Sequence, residues 1–161
     1  MHLRKVFFKS FGCFIEKEYV FKKNINLIFA PNEAGKTTLI YGILALLFGA
    51  KKEGVQKQLK ASWYSKYLPW KSPYYGGLIE YELNGKLFSL TRDLRFKEGS
   101  SSLLNLSLHK DITANFPFDA RKERLFLENQ LKIAGEVFRK ITFFTPYNIL
   151  KGFDISKDFF F

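Results

Sequence analysis

Nine consecutive positions carry the densest chemistry in this chain: Ala30, Pro31, Asn32, Glu33, Ala34, Gly35, Lys36, Thr37 and Thr38. They follow the pattern G-x-x-x-x-G-K-[ST], which cradles nucleotide phosphates where a strand meets a helix. Each part has a physical task. Successive backbone N–H groups of the loop form a nest for an anion. The helix that begins near Lys36 aims its unpaired N–H groups and positive dipole end at the same charge. Lys36 neutralises the β- and γ-phosphates, and Thr38 reaches the α-phosphate. The Thr37 hydroxyl is the candidate metal ligand, because Mg²⁺ demands oxygen donors in octahedral geometry. The cofactors expected are ATP and Mg²⁺. One position departs from the pattern, since Ala30 stands where the first glycine belongs. A glycine-only φ there would cost the alanine roughly 1–2 kcal/mol and weaken affinity about tenfold. The alternative is a chance Gly-Lys-Thr at a helix start. The loop's length and the elements on either side of it argue against that.

Those elements follow from periodicity. Residues 25–29 form a short, mostly apolar run of the kind found in a buried strand. Residues 36–48 read as a helix with Leu39, Ile40, Ile43, Leu44, Leu47 and Phe48 on its core face. Gly49 ends it, in the place of a left-handed cap. Residues 3–9 and 14–21 are β-prone, separated by a break at Ser10-Phe11-Gly12. Residues 78–83 and 86–95 flank Asn84-Gly85, the strongest short hairpin signal in the chain. Residues 103–109 alternate as a further strand. A helical stretch runs from 121 to 140 with a break at Gly135, and Thr145-Pro146 ends it. The fold class expected is α/β.

The formal charge of +11 favours a polyanionic partner such as nucleic acid. A generally lysine-rich proteome is the bland alternative. Residues 51–75 concentrate the signal. Lys51, Lys52, Lys57, Lys60, Lys66 and Lys71 are interleaved there with Trp63, Tyr64, Tyr67, Trp70, Tyr74 and Tyr75. This segment either holds DNA phosphates and stacks bases, or is a mobile flap over the nucleotide with its aromatic rings packed on the sheet. Arg92, Arg95, Arg121, Lys122 and Arg124 are equal candidates for DNA contact. Cys13 is the only cysteine, so no internal disulfide or cysteine-based metal site forms, which suits a reducing compartment. His2 and His109 are isolated and read as structural or solvent-facing. The apolar run at 43–48 is far shorter than the ~20 residues a membrane helix needs. No signal peptide is apparent, and a cytoplasmic protein with no membrane partner is expected.

The run Asn32-Glu33-Ala34-Gly35-Lys36-Thr37-Thr38-Leu39, with Leu46-Leu47-Phe48-Gly49 closing the helix, resembles the N-terminal ATPase lobe of the SMC/SbcC superfamily. The nearest branch is the YhaN-like AAA group of ABC-class P-loop NTPases, whose loop reads G-P-N-E-A-G-K-S-T-L. Phe11-Gly12, Tyr67-Leu68-Pro69-Trp70, Gly76-Gly77-Leu78, Thr91-Arg92 and Phe138-Arg139-Lys140-Ile141 before Phe143-Phe144 extend the likeness over nearly the whole chain. The resemblance implies an ABC-type N-terminal half-head over residues 1–161, with an antiparallel β-meander and a helical segment. It further implies a coiled coil, then a C-terminal ATPase lobe bearing Walker B and a Ser-Gly-Gly signature, on the same or a separate chain. Two such heads sandwich two ATP molecules in a head-to-head dimer, with DNA as a partner and a nuclease as a further one. The implied role is double-strand-break repair or chromosome maintenance.

The second half of that pattern is not in these residues. No apolar strand ends in Asp-Glu, and no long heptad run exists. Leu125-Phe126-Leu127-Glu128 is superficially close to Walker B but lies in a helical stretch. Asn148 alone could imitate the metal-contacting glutamine of related heads; a plain polar loop is the alternative. Phosphoryl transfer needs the metal held from two sides and a group to position water. Lys36 and Thr37 supply one side, so no catalytic residue is assigned. An N-terminal fragment or truncated gene product is expected, with ATP turnover only when the other lobe completes it. Phe153 and Phe159–Phe161 are then surface for the missing half, or else pack on their own core. A second reading is a degenerate ATP-sensing module, DNA-binding but without turnover. A P-loop kinase or small GTPase is disfavoured, because Asn-Lys-x-Asp is missing and the antiparallel hairpin does not suit a nucleotide kinase.

Overall fold

Alternation dominates the first strand, β1 (His2–Phe11), where Val6, Phe8 and Ser10 are buried while Phe7 and Lys9 face outward. The computed structural model describes residues 1–49, 63–95, 101–119 and 123–142. In it β1 pairs antiparallel with β2 (Phe14–Val20) on one side and β3 (Gly76–Leu83) on the other. The chain then meanders through β4 (Lys86–Asp93), β5 (Ser101–Asn105) and β6 (Lys110–Asp111). The result is a six-stranded sheet in the order β2-β1-β3-β4-β5-β6. Register aligns one apolar row across four strands: Val6, Ile79, Leu90 and Leu103, each 0% exposed. The β3–β4 turn is the one its residues demand, with φ 51° at Asn84 and 72° at Gly85.

Helix α1 (Lys36–Phe48) lies on this apolar face, and a single turn, α2 (Trp63–Lys66), comes before β3. It approaches so closely that a Cβ on Gly42 would come within 2.5 Å of the Phe8 ring and 3.1 Å of Phe11. The expected single stripe is too narrow. Ile40 is exposed, whereas Ala45 and Leu46 are fully buried. The reason is that α1 also packs against α3 (Phe126–Leu131), and its end against α4 (Gly135–Thr142) through Phe48 and Phe138, ring centroids 5.0 Å apart. Gly49 ends the helix with φ 82° and ψ 164°, a positive φ but not the left-handed helical cap. Its N–H still donates to the Ala45 carbonyl at 2.8 Å.

The far end of α1 is held by a buried cation. Arg92 on β4 is 3% exposed. Its Nε donates to the Leu46 carbonyl at 3.0 Å and its Nη2 to the Leu47 carbonyl at 3.3 Å. These are carbonyls that the end of a helix leaves unpaired. Burial pulls the guanidinium pKa down, and Glu123, then Glu128, oppose that pull. Arg92 therefore points into the core and is not a DNA contact. Arg95 donates to the Ser72 carbonyl at 2.8 Å, and Arg124 to the Phe116 carbonyl at 2.7 Å with Phe118 beneath it. Both are likewise engaged within the fold.

Three expectations about elements change. Residues 103–109 are not one strand. β5 stops at Asn105, whose side chain accepts the Leu108 N–H at 3.2 Å, and His109 takes φ 49° to reach β6. A side-chain acceptor that captures the backbone competes with the ladder. The helical stretch begins at Phe126, and its break falls at Lys132, with φ 57°, rather than at Gly135. Gly135 instead opens α4, with its N–H on the Glu128 carboxylate at 3.1 Å. Residues 25–29, expected as a buried strand, belong to no strand among the described residues. Ile25, Leu27 and Phe29 are 92%, 89% and 92% exposed. Burial of such a run needs a strand on its flank and cover on its faces, and the described residues provide neither. The antiparallel meander and helical segment that the resemblance implies are both present. Lys51, Lys52, Lys57, Lys60, Arg121, Lys122, Phe143, Phe144, Thr145, Pro146, Asn148, Phe153 and Phe159–Phe161 lie outside the described residues. No helix among the described residues is long and apolar enough to cross a membrane.

Candidate functional site

The loop between the extended run and α1 is where the expected phosphate-binding residues sit. Pro31, Asn32, Glu33 and Ala34 are exposed; Ala30, Gly35 and Lys36 are half-buried. Lys36 folds back over the loop. Its Nζ donates to the Ala30 and Pro31 carbonyls at 2.6 Å each. Gly35 caps the helix with φ 92° and ψ 11°, and no side chain caps the N-terminal N–H groups. The first turn carries no acid. The Leu39 N–H is already inside the helix, on the Gly35 carbonyl at 2.8 Å. The N–H groups before it carry no side-chain cap and are the donors a helix start offers to an anion.

The strain expected at Ala30 falls elsewhere. Among the described residues with positive φ, Ala30 does not appear, while Glu33 takes φ 67°. The alanine β-carbon therefore strains no backbone here. The cost of a left-handed L-residue is borne by Glu33, three positions on.

The β1–β2 turn buttresses the loop, a role that the order of residues alone did not reveal. A Cβ on Gly35 would lie 2.9 Å from the Phe14 ring and 3.0 Å from the Cys13 sulfur. The Thr38 methyl packs against Gly12, where an added Cβ would come within 2.7 Å of it. Gly12 in turn donates its N–H to the Tyr67 carbonyl at 2.8 Å. Tyr67 is stacked between Phe11 and Tyr41, each 5.3 Å away by ring centroids. Burial, then Tyr41, pushes its phenol pKa up, so Tyr67 is neutral packing. The sequence signal for this buttress was the Phe11-Gly12 pair, legible as a turn but not as a support. A groove of about 600 Å³ opens beside Thr38, walled by Gly12, Cys13, Tyr67 and the stretch from Leu68 to Lys71.

Thr37 is exposed at the start of α1 with its hydroxyl available. Among the described residues no three His, Cys, Asp or Glu side chains converge as a metal site. Among the described residues, Thr37 would hold a divalent cation together with oxygens that the nucleotide supplies. The donor set fits Mg²⁺ in that form, since the ion keeps waters and phosphate oxygens and takes few protein ligands. His2 on β1 and the exposed turn residue His109 lie far apart in the sheet order and form no site.

A family model and one curated relative match this chain along nearly its whole length. A family model described as AAA domain matches residues 5–148. Across 97% of its length the chain is 29% identical to the SbcC component of the nuclease SbcCD of Staphylococcus haemolyticus, covering 16% of that protein. Across 47 residues it is 43% identical to the DNA double-strand break repair Rad50 ATPase of Nanoarchaeum equitans, covering 29% of this chain and 6% of that protein. A structure solved in work on ATP-driven dimerization and DNA-stimulated activation of SMC ATPases aligns with TM-score 0.48 and 14% identity, over 91% of this chain and 94% of the other. The chain thus spans a small part of the length of both curated relatives.

Proposed function

This chain belongs to the AAA-domain family, in the SMC/SbcC group, and from that membership we propose that it is the Mg²⁺·ATP-binding N-terminal lobe of an ATPase acting on DNA. The observation that carries the reading is the Lys36 ammonium, folded onto the loop carbonyls directly over an uncapped helix N-terminus. A triphosphate offers Lys36 stronger acceptors than neutral carbonyls do. Residues 30–38 bind the phosphates, with the Thr37 hydroxyl on the metal. When Mg²⁺ is bound it neutralises phosphate charge and polarises the γ-phosphoryl group. The chain's own residues hold and orient the nucleotide.

Turnover requires a C-terminal ATPase lobe, on the same or a separate chain. The exposed run at Ile25, Leu27 and Phe29 supports this, because it is uncovered apolar surface directly ahead of the phosphate loop. In the completed protein two heads pair across ATP, in the cytoplasm, in double-strand-break repair or chromosome maintenance. A nuclease is the further partner, by likeness to the SbcCD relative. The test is calorimetry with Mg²⁺·ATP. The parent is expected to bind, and Lys36→Ala to bind at least ~100-fold more weakly, as befits the loss of charge-assisted contacts. Equal heats from both proteins would sink the assignment. The second reading is an ATP-sensing module without turnover. Phosphate release on adding the C-terminal lobe decides between them.

A further inference from the structure

The stretch from Lys66 to Tyr75 uses its aromatic residues in two different ways. Tyr67 and Tyr75 are 6% and 1% exposed, both stacked on Phe11 at 5.3 and 5.4 Å. They anchor the segment to the core. Trp70 and Tyr74 project instead, 95% and 51% exposed. Pro69 and Pro73 fix φ ahead of each projecting ring. The Tyr74 N–H is held by the Ser72 hydroxyl at 3.1 Å, and the Ser72 carbonyl by Arg95 at 2.8 Å. The two faces are therefore set on a braced backbone rather than on a loose loop.

Charge follows the same ridge. Lys66 and Lys71 are exposed beside Trp70, where they line the groove of about 600 Å³. Lys9 on β1 lies over Tyr74 with its Nζ 3.6 Å from the ring centroid. On that far side a second groove, about 400 Å³, is bounded by Phe7, Lys9, Tyr74, Leu78, Thr91 and Asp93. Asp93 is its one acid, and it is engaged, accepting the Arg95 N–H at 2.9 Å. Between Glu53 and Glu80 the sequence contains no acid at all. Exposed flat rings flanked by ammonium groups match a ligand of flat bases joined by phosphates. A duplex hides its base faces, so the match is to unpaired bases.

We propose that the ridge from Lys66 to Tyr75 binds single-stranded DNA, with Trp70 and Tyr74 stacking on bases and Lys9, Lys66 and Lys71 contacting phosphates. The choice of DNA rests on the reading of this chain as a DNA-acting ATPase lobe. The ridge adjoins the phosphate loop, with which it shares the groove beside Thr38, and the test therefore reads the two sites separately. The test is fluorescence anisotropy of the whole chain with labelled oligothymidylate of ~15 nucleotides, long enough for a site of this kind. Duplex DNA and oligouridylate of equal length serve as comparisons. Trp70→Ala and Tyr74→Ala are each expected to weaken oligothymidylate binding about tenfold, with Trp70→Phe restoring most of it. Mg²⁺·ATP affinity by calorimetry is expected to stay unchanged in all three. Lys36→Ala is expected to lose ATP and keep the oligonucleotide, so failure of the nucleotide site is told apart from failure of this surface. Unchanged binding by Trp70→Ala and Tyr74→Ala overturns the proposal. So does a duplex bound as tightly with the same sensitivity, tighter binding of oligouridylate, or loss of ATP affinity in Trp70→Ala, which would assign that ring to the nucleotide.

Discussion

A single ammonium and a single glycine set what the proposed phosphate loop can do. Lys36 is pre-aimed by the Ala30 and Pro31 carbonyls, each at 2.6 Å. Those bonds run to backbone oxygens, so the side chain at position 30 is not what places Lys36. Ala30→Gly is therefore expected to change Mg²⁺·ATP affinity, by calorimetry, by less than the factor of about ten that a relieved 1–2 kcal/mol strain would produce. A tenfold gain would mean that the alanine β-carbon resists the phosphate itself. Gly35 is the opposite case. Its φ of 92° and the 2.9–3.1 Å approach of Phe14 and Cys13 to a would-be Cβ leave no room for a side chain. Gly35→Ala combines left-handed strain of ~1–2 kcal/mol with overpacking of ~1–3 kcal/mol. A loss of about 2–5 kcal/mol in urea unfolding is expected, with nucleotide binding lost because the loop must shift. A variant that unfolds like the parent would show that the β1–β2 turn yields easily and does not brace the loop.

At the level of elements, helix α1 is gripped at both ends, and the grip at its C-terminus makes the sharper test. Arg92→Met removes the bonds to the Leu46 and Leu47 carbonyls and leaves Glu123 and Glu128 without their cation. Breaking a buried ionic group from one side costs about 3–5 kcal/mol, or roughly 6–20 °C in Tm for a chain of this size. A shift under about 3 °C by calorimetric scan would show that the grip is ornamental. The β3–α3 contact gives a pH test. Tyr81 donates its hydroxyl to Gln130 at 2.7 Å, and burial pushes its pKa well above 10. The folded state then holds the phenolic proton where the unfolded chain releases it. Stability is full below pH 10 and falls as pH rises above 10. Tyr81→Phe is expected to cost about 1 kcal/mol at neutral pH and to flatten that alkaline decline; an equally steep decline would place the titrating group elsewhere. These couplings mark the limit of what residue order discloses. α1, the β3–β4 hairpin and the first two strands are local patterns, readable from period and turn chemistry. The candidate phosphate loop could be picked out for the same reason, being one contiguous motif. Arg92 looked like a surface cation because nothing local says that β4 turns it inward onto the end of a helix more than forty positions earlier in the chain. The bend at Asn105 and the buttress at Gly12 and Cys13 likewise depend on contacts that sequence spacing does not encode.

For the whole molecule, the decisive feature is where strand surface is protected and where it is not. The β2 edge carries exposed Glu16, Lys17 and Glu18, with Glu16 twisted to φ 47°, and the opposite edge, β6, is two residues long. Charged, kinked or very short edges do not recruit further strands. Residues 25–29 have none of these defences, carrying Ile25, Leu27 and Phe29 almost fully exposed with no charge among them. Burying three such side chains is worth ~1.5–3 kcal/mol each, before the cost of immobilising the partner. A surface of that size placed immediately before the phosphate loop is suited to docking a second lobe and to coupling that docking to the nucleotide. Leu27→Lys separates this role from folding. An 89% exposed side chain contributes almost nothing to the stability of this chain alone, so the change in urea unfolding is expected to stay within ~0.5 kcal/mol. Self-association at high concentration should fall, because the added charge breaks the apolar run. Association with the C-terminal ATPase lobe, followed by sedimentation, should be lost while Mg²⁺·ATP binding by the isolated chain persists. If Leu27→Lys instead destabilises the chain by more than ~1 kcal/mol, the run is packed within this lobe in solution. If the variant still assembles with the C-terminal lobe as the parent does, the docking surface lies on another face, and the loop is coupled to assembly by some other route.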